Sequence, residues 1–120
     1  MGDNAPVAAL TREERADALA GLPGWTFDED RNALYLRLAV ADFSEAFGLM
    51  TRIAIDAEKR GHHPEWFNVY NRLEIWLTTH DAESSVSALD VEFARRISAL
   101  LKRIRYPSIN RVRDGQIRRT

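Results

Sequence analysis

The chain runs twice through the same order of signals. A run of alternating apolar and polar residues is followed by a short polar turn, a second such run, and a capped amphipathic segment. In "ALYLRLAV", Leu34, Leu36 and Leu38 alternate with Tyr35, Arg37 and Ala39, which is the period of a half-buried strand. "WTFDEDRNALYLRLAV" therefore reads as two strands around a polar turn at Asp28–Asn32. "FNVYNRLEIWLTTH" is too long for one ordinary strand. A turn near Tyr70–Arg72 splits it into a hairpin, with Leu73, Ile75 and Leu77 on one face and Glu74, Trp76, Thr78 and His80 on the other. Adjacent strands joined by tight turns pair antiparallel, and their apolar face needs a covering layer. The expected fold is α+β and two-layered: a four-stranded antiparallel sheet with helices on one face, in the order α-β-β-α-β-β-α.

Three segments supply the helices. Thr11 and Glu14 in "TREE" match a capping box and predict a short helix to about Ala20, broken by "GLPG". Asp42, with Glu45 three residues on, opens the strongest helix. Phe43, Ala46, Phe47, Met50, Ala54 and Ala57 recur at helical spacing and are expected to face the core. Leu49 and Ile55 fall off that stripe, as exposed apolar residues or subunit contacts. Lys59 and Arg60 suit the negative end of the helix dipole, and Gly61 suits a left-handed cap. "SALD" at Ser87–Asp90 opens the last helix, whose apolar side is Val91, Ala94, Ile97, Leu100, Leu101 and Ile104. Pro107 prevents its simple continuation. Trp25, Trp66 and Phe67 suit core positions.

With 120 residues, the chain has the size of one domain. Residues 1–10 read as a flexible leader, 11–105 as the folded domain and 106–120 as a basic extension. The lack of cysteine suits a reducing compartment, and a cytoplasmic location is expected. Nothing resembles a signal peptide, and no run approaches the roughly 20 apolar residues of a membrane helix. A net charge of −1 makes nucleic acid an unlikely partner. Positive charge collects at the end, where Lys102, Arg103, Arg105, Arg111, Arg113, Arg118 and Arg119 face a single Asp114. That tail is either a solvated extension or a contact for an acidic partner or neighbouring subunit.

The chain has 3 histidines, and two of them stand together in "RGHHPEWFNVY". His62 and His63 follow the predicted helix end. His80 closes the strand that pairs with the segment after them, so the hairpin brings all three towards one end of the sheet. An imidazole takes or gives a proton near neutral pH. Glu58, one helical turn before His62, is placed to accept an imidazole N–H, and Asp81 and Asp90 from the other side. The cluster is an acid/base site, a divalent-metal site, or merely a solvated turn. The absence of H-x-x-x-H and of cysteine pairs argues against metal. Pro64 pushes His63 out of the helical region.

Glu58, His62, His63, Pro64, Tyr70, His80 and Asp90 fit the pattern [EDKH]-x3-H-[HN]-[PCS]-x5,6-[YWF]-x9-[HW]-x8–15-D with every gap in range. In this the chain resembles the pterin-4a-carbinolamine dehydratases, from about Leu10 to Arg103, and the deduced element order is that family's. The resemblance implies removal of water from 4a-hydroxy-tetrahydropterin to give quinonoid dihydropterin, recycling the pterin of aromatic amino-acid hydroxylation. It implies His62 and His80 as the proton carriers, in undecided order, and His63 as the group that binds the 4a-hydroxyl. Glu58 and Asp90 would orient histidines or hold the pterin. Trp66 would wall the pocket or pack the strand. No metal and no redox cofactor is implied, because the pterin is the substrate. The likeness also implies a homodimer or homotetramer assembled through sheet edges and the middle helix, and a functional link to an aromatic amino-acid hydroxylase. Many relatives carry glycine in the loop after the third histidine; "DAESSV" has none, so another loop shape is expected. The alternatives are a non-catalytic binding module resembling a transcriptional coactivator, a metal-dependent hydrolase, or a dehydratase in another pterin pathway such as molybdopterin metabolism.

Overall fold

The structure is a computed structural model that describes residues 7–104 and 110–111. Helix α1 (Arg12–Ala20) opens with the predicted capping box: Glu14 N–H donates to Thr11 Oγ1 and Thr11 N–H to Glu14 Oε1. Strands β1 (Thr26–Asp28) and β2 (Ala33–Ala39) form the first hairpin, and β3 (Glu65–Val69) and β4 (Arg72–Leu77) the second. All pairs are antiparallel, and the sheet order is β1-β2-β4-β3. Helices α2 (Phe43–Arg60) and α3 (Ala88–Ile104) complete the predicted α-β-β-α-β-β-α order. A fifth strand, β5 (Asn110–Arg111), pairs with Leu38 and Ala39 of β2 and was not expected. The remainder of the basic extension and residues 1–6 of the leader lie outside the described residues.

The two central strands build the core. Leu34, Leu36 and Leu38 of β2 and Leu73, Ile75 and Leu77 of β4 are each at most 2% exposed. They meet Leu49, Ile53 and Ala57 of α2 and Phe93, Ala94, Ile97 and Leu101 of α3. Truncating one such leucine to alanine costs roughly 2–5 kcal/mol. Trp25 is buried as expected and donates its indole N–H to Ser98 Oγ, which fastens the first loop to α3. Asp56 accepts from Arg96 Nε and Nη2, each at 3.0 Å, and ties α2 to α3.

The buried stripe of α2 differs from the expected one. Ala46, Leu49, Ile53 and Ala57 face the sheet, whereas Phe43 and Phe47 are half exposed and Ala54 is exposed. Leu49, expected off the stripe, is fully buried. The helix carries apolar residues around more than half its circumference, so periodicity alone admits two overlapping faces. The flat layer against the sheet selects small and aliphatic side chains there and leaves the phenylalanines in tilted contact with one another outside, with ring centroids 5.8 Å apart. Ile55 is exposed, as expected. Phe67 corrects another expectation: as an outward position of edge strand β3 it is 54% exposed, not core. Phe93, which the expected apolar side of α3 lacked, is fully buried.

Candidate functional site

Two local structures deliver the first histidines. Gly61 ends α2 at φ 64°, and its N–H caps the Ala57 and Glu58 carbonyls. That left-handed residue turns the chain sharply off the helix axis. His62 N–H still reaches the Ala57 carbonyl at 3.2 Å, so His62 stays close to the helix end while Pro64 leads into β3.

The side chains of the pair part company. His62 is largely buried, and its Nε2 lies 2.6 Å from Asp90 Oδ1. His63 is 62% exposed, and its Nε2 lies 2.9 Å from Glu58 Oε1. Glu58 was expected to orient an imidazole; the one it meets is His63, while Asp90 serves His62.

Asp90 is 0% exposed and sits in the first turn of α3. Its Oδ2 accepts from Ser87 N–H at 2.9 Å, the backbone half of the predicted cap, and from Thr79 Oγ1 at 2.7 Å. Thr79 Oγ1 also lies 2.7 Å from Ser87 Oγ. These donors suit an ionised carboxylate, which can only accept. Thr79 and Ser87 belong to the cluster, and the sequence reading missed them as such. The available signal was positional: Thr79 directly precedes His80, and Ser87 begins the "SALD" cap.

His80 starts a short 3-10 turn (His80–Ala82) and is exposed, with Ser84 Oγ 3.5 Å from its Nδ1. The Asp90–Thr79 bond holds the segment after β4 against the start of α3, and His80 is the next residue along that segment. Asp81 is exposed in the same turn. The glycine-free "DAESSV" loop keeps a left-handed backbone at Glu83 (φ 58°) and Ser84 (φ 54°), the region glycine favours. Trp66 is partly buried and packs against the core, which matches its strand-packing reading. Among the described residues no group of three or more His, Asp or Glu is disposed to hold a metal ion. A groove of about 190 Å³ between α2 and α3, lined by Arg52, Ile53, Asp56, Phe93, Arg96 and Leu100 among others, contains none of the histidines.

A family model described as pterin 4 alpha carbinolamine dehydratase matches residues 8–100. The chain belongs to that family. Its match covers both hairpins, the helix exit at His62 and the Asp90 cap. A protein of Burkholderia cenocepacia (strain HI2424) named "Putative pterin-4-alpha-carbinolamine dehydratase" is 57% identical over 88 residues, 73% of this chain and 85% of the relative. A protein of the same name from Novosphingobium aromaticivorans is 53% identical over 95 residues, 79% of this chain and 98% of the relative. A crystal structure titled as a transcriptional coactivator/pterin dehydratase from Brucella melitensis superposes with a TM-score of 0.72 at 44% identity, covering 77% of this chain and 97% of that one. Membership in the pterin carbinolamine dehydratase family supports a dehydratase activity on pterins. Among the described residues no helix is long and apolar enough to cross a membrane.

Proposed function

We propose that this chain is a hydro-lyase acting on 4a-hydroxy-tetrahydropterin by histidine acid/base catalysis. The supporting observation is the 2.6 Å contact between His62 Nε2 and the buried Asp90 carboxylate. A carboxylate on Nε2 selects the neutral tautomer protonated there and leaves the Nδ1 lone pair as the base. It also stabilises the imidazolium that forms when Nδ1 takes a proton. His62 accordingly removes a ring N–H proton of the pterin, and His80 protonates the departing 4a-hydroxyl, which leaves as water. His63, held by Glu58, polarises that hydroxyl. The reaction needs neither metal nor redox cofactor. A stopped-flow assay with freshly generated 4a-hydroxy-tetrahydropterin tests the activity, and no acceleration over buffer contradicts it.

The product fits recycling of the pterin of an aromatic amino-acid hydroxylase. A pterin of another pathway, such as that of molybdopterin, is distinguished by comparing kcat/KM on both substrates. A homodimer or homotetramer is proposed through the exposed Phe43, Phe47 and Ile55 face of α2 and the edge strand β3. The same exposed helix face, with the coactivator title of the Brucella melitensis structure, supports a second reading as a protein-binding module. A folded protein without dehydratase activity favours that reading.

A further inference from the structure

We infer that Thr79 and Ser87 are positioning residues: through Asp90 they fix the tautomer of His62, and Thr79 ties that imidazole to the placement of His80. The inference deepens the acid/base function proposed above and rests on it.

Proton bookkeeping sets the direction of the chain. A hydroxyl has one proton to give. Thr79 Oγ1 gives its proton to Asp90 Oδ2 at 2.7 Å. In the 2.7 Å contact between the two hydroxyls, Ser87 must therefore be the donor. Ser87 Oγ accepts in turn from Leu89 N–H at 3.2 Å, in the first turn of α3. The order runs one way, from a free N–H of the helix start through Ser87 and Thr79 to Asp90. Oδ1 is left to accept the His62 Nε2 proton. Thr79 is 4% exposed and Ser87 0%, so water does not readily replace these bonds.

Thr79 is fixed by its backbone as well. Its N–H donates to the Ser85 carbonyl at 3.0 Å, and its carbonyl accepts from Ala82 N–H at 3.0 Å. It is thus bonded covalently to His80 and, through one carboxylate, to His62. Other titratable or charged groups on the elements that meet at His62 include the exposed His63–Glu58 pair and Arg60 at the end of α2, and the exposed His80 and Asp81 after Thr79. The Arg60 guanidinium stands 5.5 Å over Phe93, whose ring lies 6.1 Å from that of His62. None of them replaces the Thr79 hydroxyl on Asp90.

Losing that donor leaves more negative charge on Asp90 and raises the proton affinity of the Asp90–His62 pair. The test is NMR titration of the imidazole nitrogens in the wild type, Thr79→Val, Thr79→Ser and Ser87→Ala, together with dehydration kinetics. Wild-type His62 is expected in the Nε2–H form when neutral. Thr79→Val is expected to raise its midpoint by about one pH unit and to lower kcat roughly tenfold with little change in KM. Thr79→Ser restores both, and Ser87→Ala shifts the midpoint the same way by less. A wild-type midpoint and kcat in Thr79→Val, or a Thr79→Ser as impaired as Thr79→Val, overturns the inference. If Thr79→Val does not fold, an unshifted midpoint in Ser87→Ala overturns it, and a raised one supports it. A wild type inactive on the pterin removes the proposed function, while the titrations still decide whether these hydroxyls govern His62.

Discussion

His62 Nε2 and Asp90 Oδ1 meet at 2.6 Å across 28 residues of chain. The same carboxylate caps the helix that carries it, through Ser87 N–H at 2.9 Å. A cap and an imidazole orienter are thus one side chain. Asp90→Asn keeps the shape but offers an amide N–H where only donors converge. Unfolding in urea is expected to show a loss of about 2 kcal/mol, with dehydration lowered at least tenfold by loss of the tautomer-setting acceptor. Wild-type values for both would contradict the double role.

Acid stability has an identifiable contributor where β1 ends and β4 presents Trp76. The Trp76 indole N–H donates to Asp28 Oδ2 at 2.8 Å, and this bond, with lesser help from the Arg31 and Asp30 backbone and the Arg31 charge, holds Asp28 below its ordinary 3.8. A carboxylate depressed on folding stabilises the protein above its unfolded value and loses that contribution as pH falls through the folded one. The window here lies below 3.8. Trp76→Phe is expected to destabilise by about 1 kcal/mol at pH 7 through the lost bond, with that component fading in acid. Denaturant melts at neutral and acid pH check it; a difference independent of pH would show that packing alone was lost.

Two backbone positions predict opposite signs. Gly61 at φ 64° has no atom within 4 Å of an added Cβ, so Gly61→Ala meets backbone strain and no clash. A loss of about 1 kcal/mol is expected in thermal or urea unfolding. Glu83 at φ 58° is a non-glycine residue in the same region. Glu83→Gly is expected to be neutral or stabilising by a few tenths of a kcal/mol, roughly balancing strain relief against backbone entropy. A destabilisation of Glu83→Gly as large as that of Gly61→Ala would contradict the strain argument.

The exposed phenylalanines on α2 bear on assembly. Phe43 and Phe47 contribute little to a lone protomer, so replacing both by serine should leave its fold intact, within about 0.5 kcal/mol per site. Light scattering after gel filtration is expected to show a smaller particle than the wild type. An unchanged mass would exclude this face from the oligomer.

Local chemistry was the legible part of the sequence. Thr11, Asp42 and Gly61 announce helix ends because caps depend on a few neighbouring residues, and the Leu34–Leu38 alternation marks β2 because its period is short. The face of α2 was not legible, since Leu49 and Phe47 satisfy the same helical spacing and only the sheet decides between them. Phe67 looked like core because its type, not its outward edge position, was read. The histidines, Glu58 and Asp90 stood out through family spacing. The pairing of His62 with Asp90, and of His63 with Glu58, depends on how α3 docks. Thr79 and Ser87 carried only a positional flag, and their bonds to Asp90 form only where the segment after β4 meets the start of α3.

The central claim is that His62 and His80 divide the proton transfers of a pterin dehydration. Stopped-flow decay of 4a-hydroxy-tetrahydropterin, with the spontaneous rate subtracted, tests it in the wild type, His62→Ala and His80→Ala. The account predicts acceleration by the wild type and a loss of about 10²–10⁴ in each variant, with the fold retained. A folded His62→Ala protein as active as the wild type would contradict it.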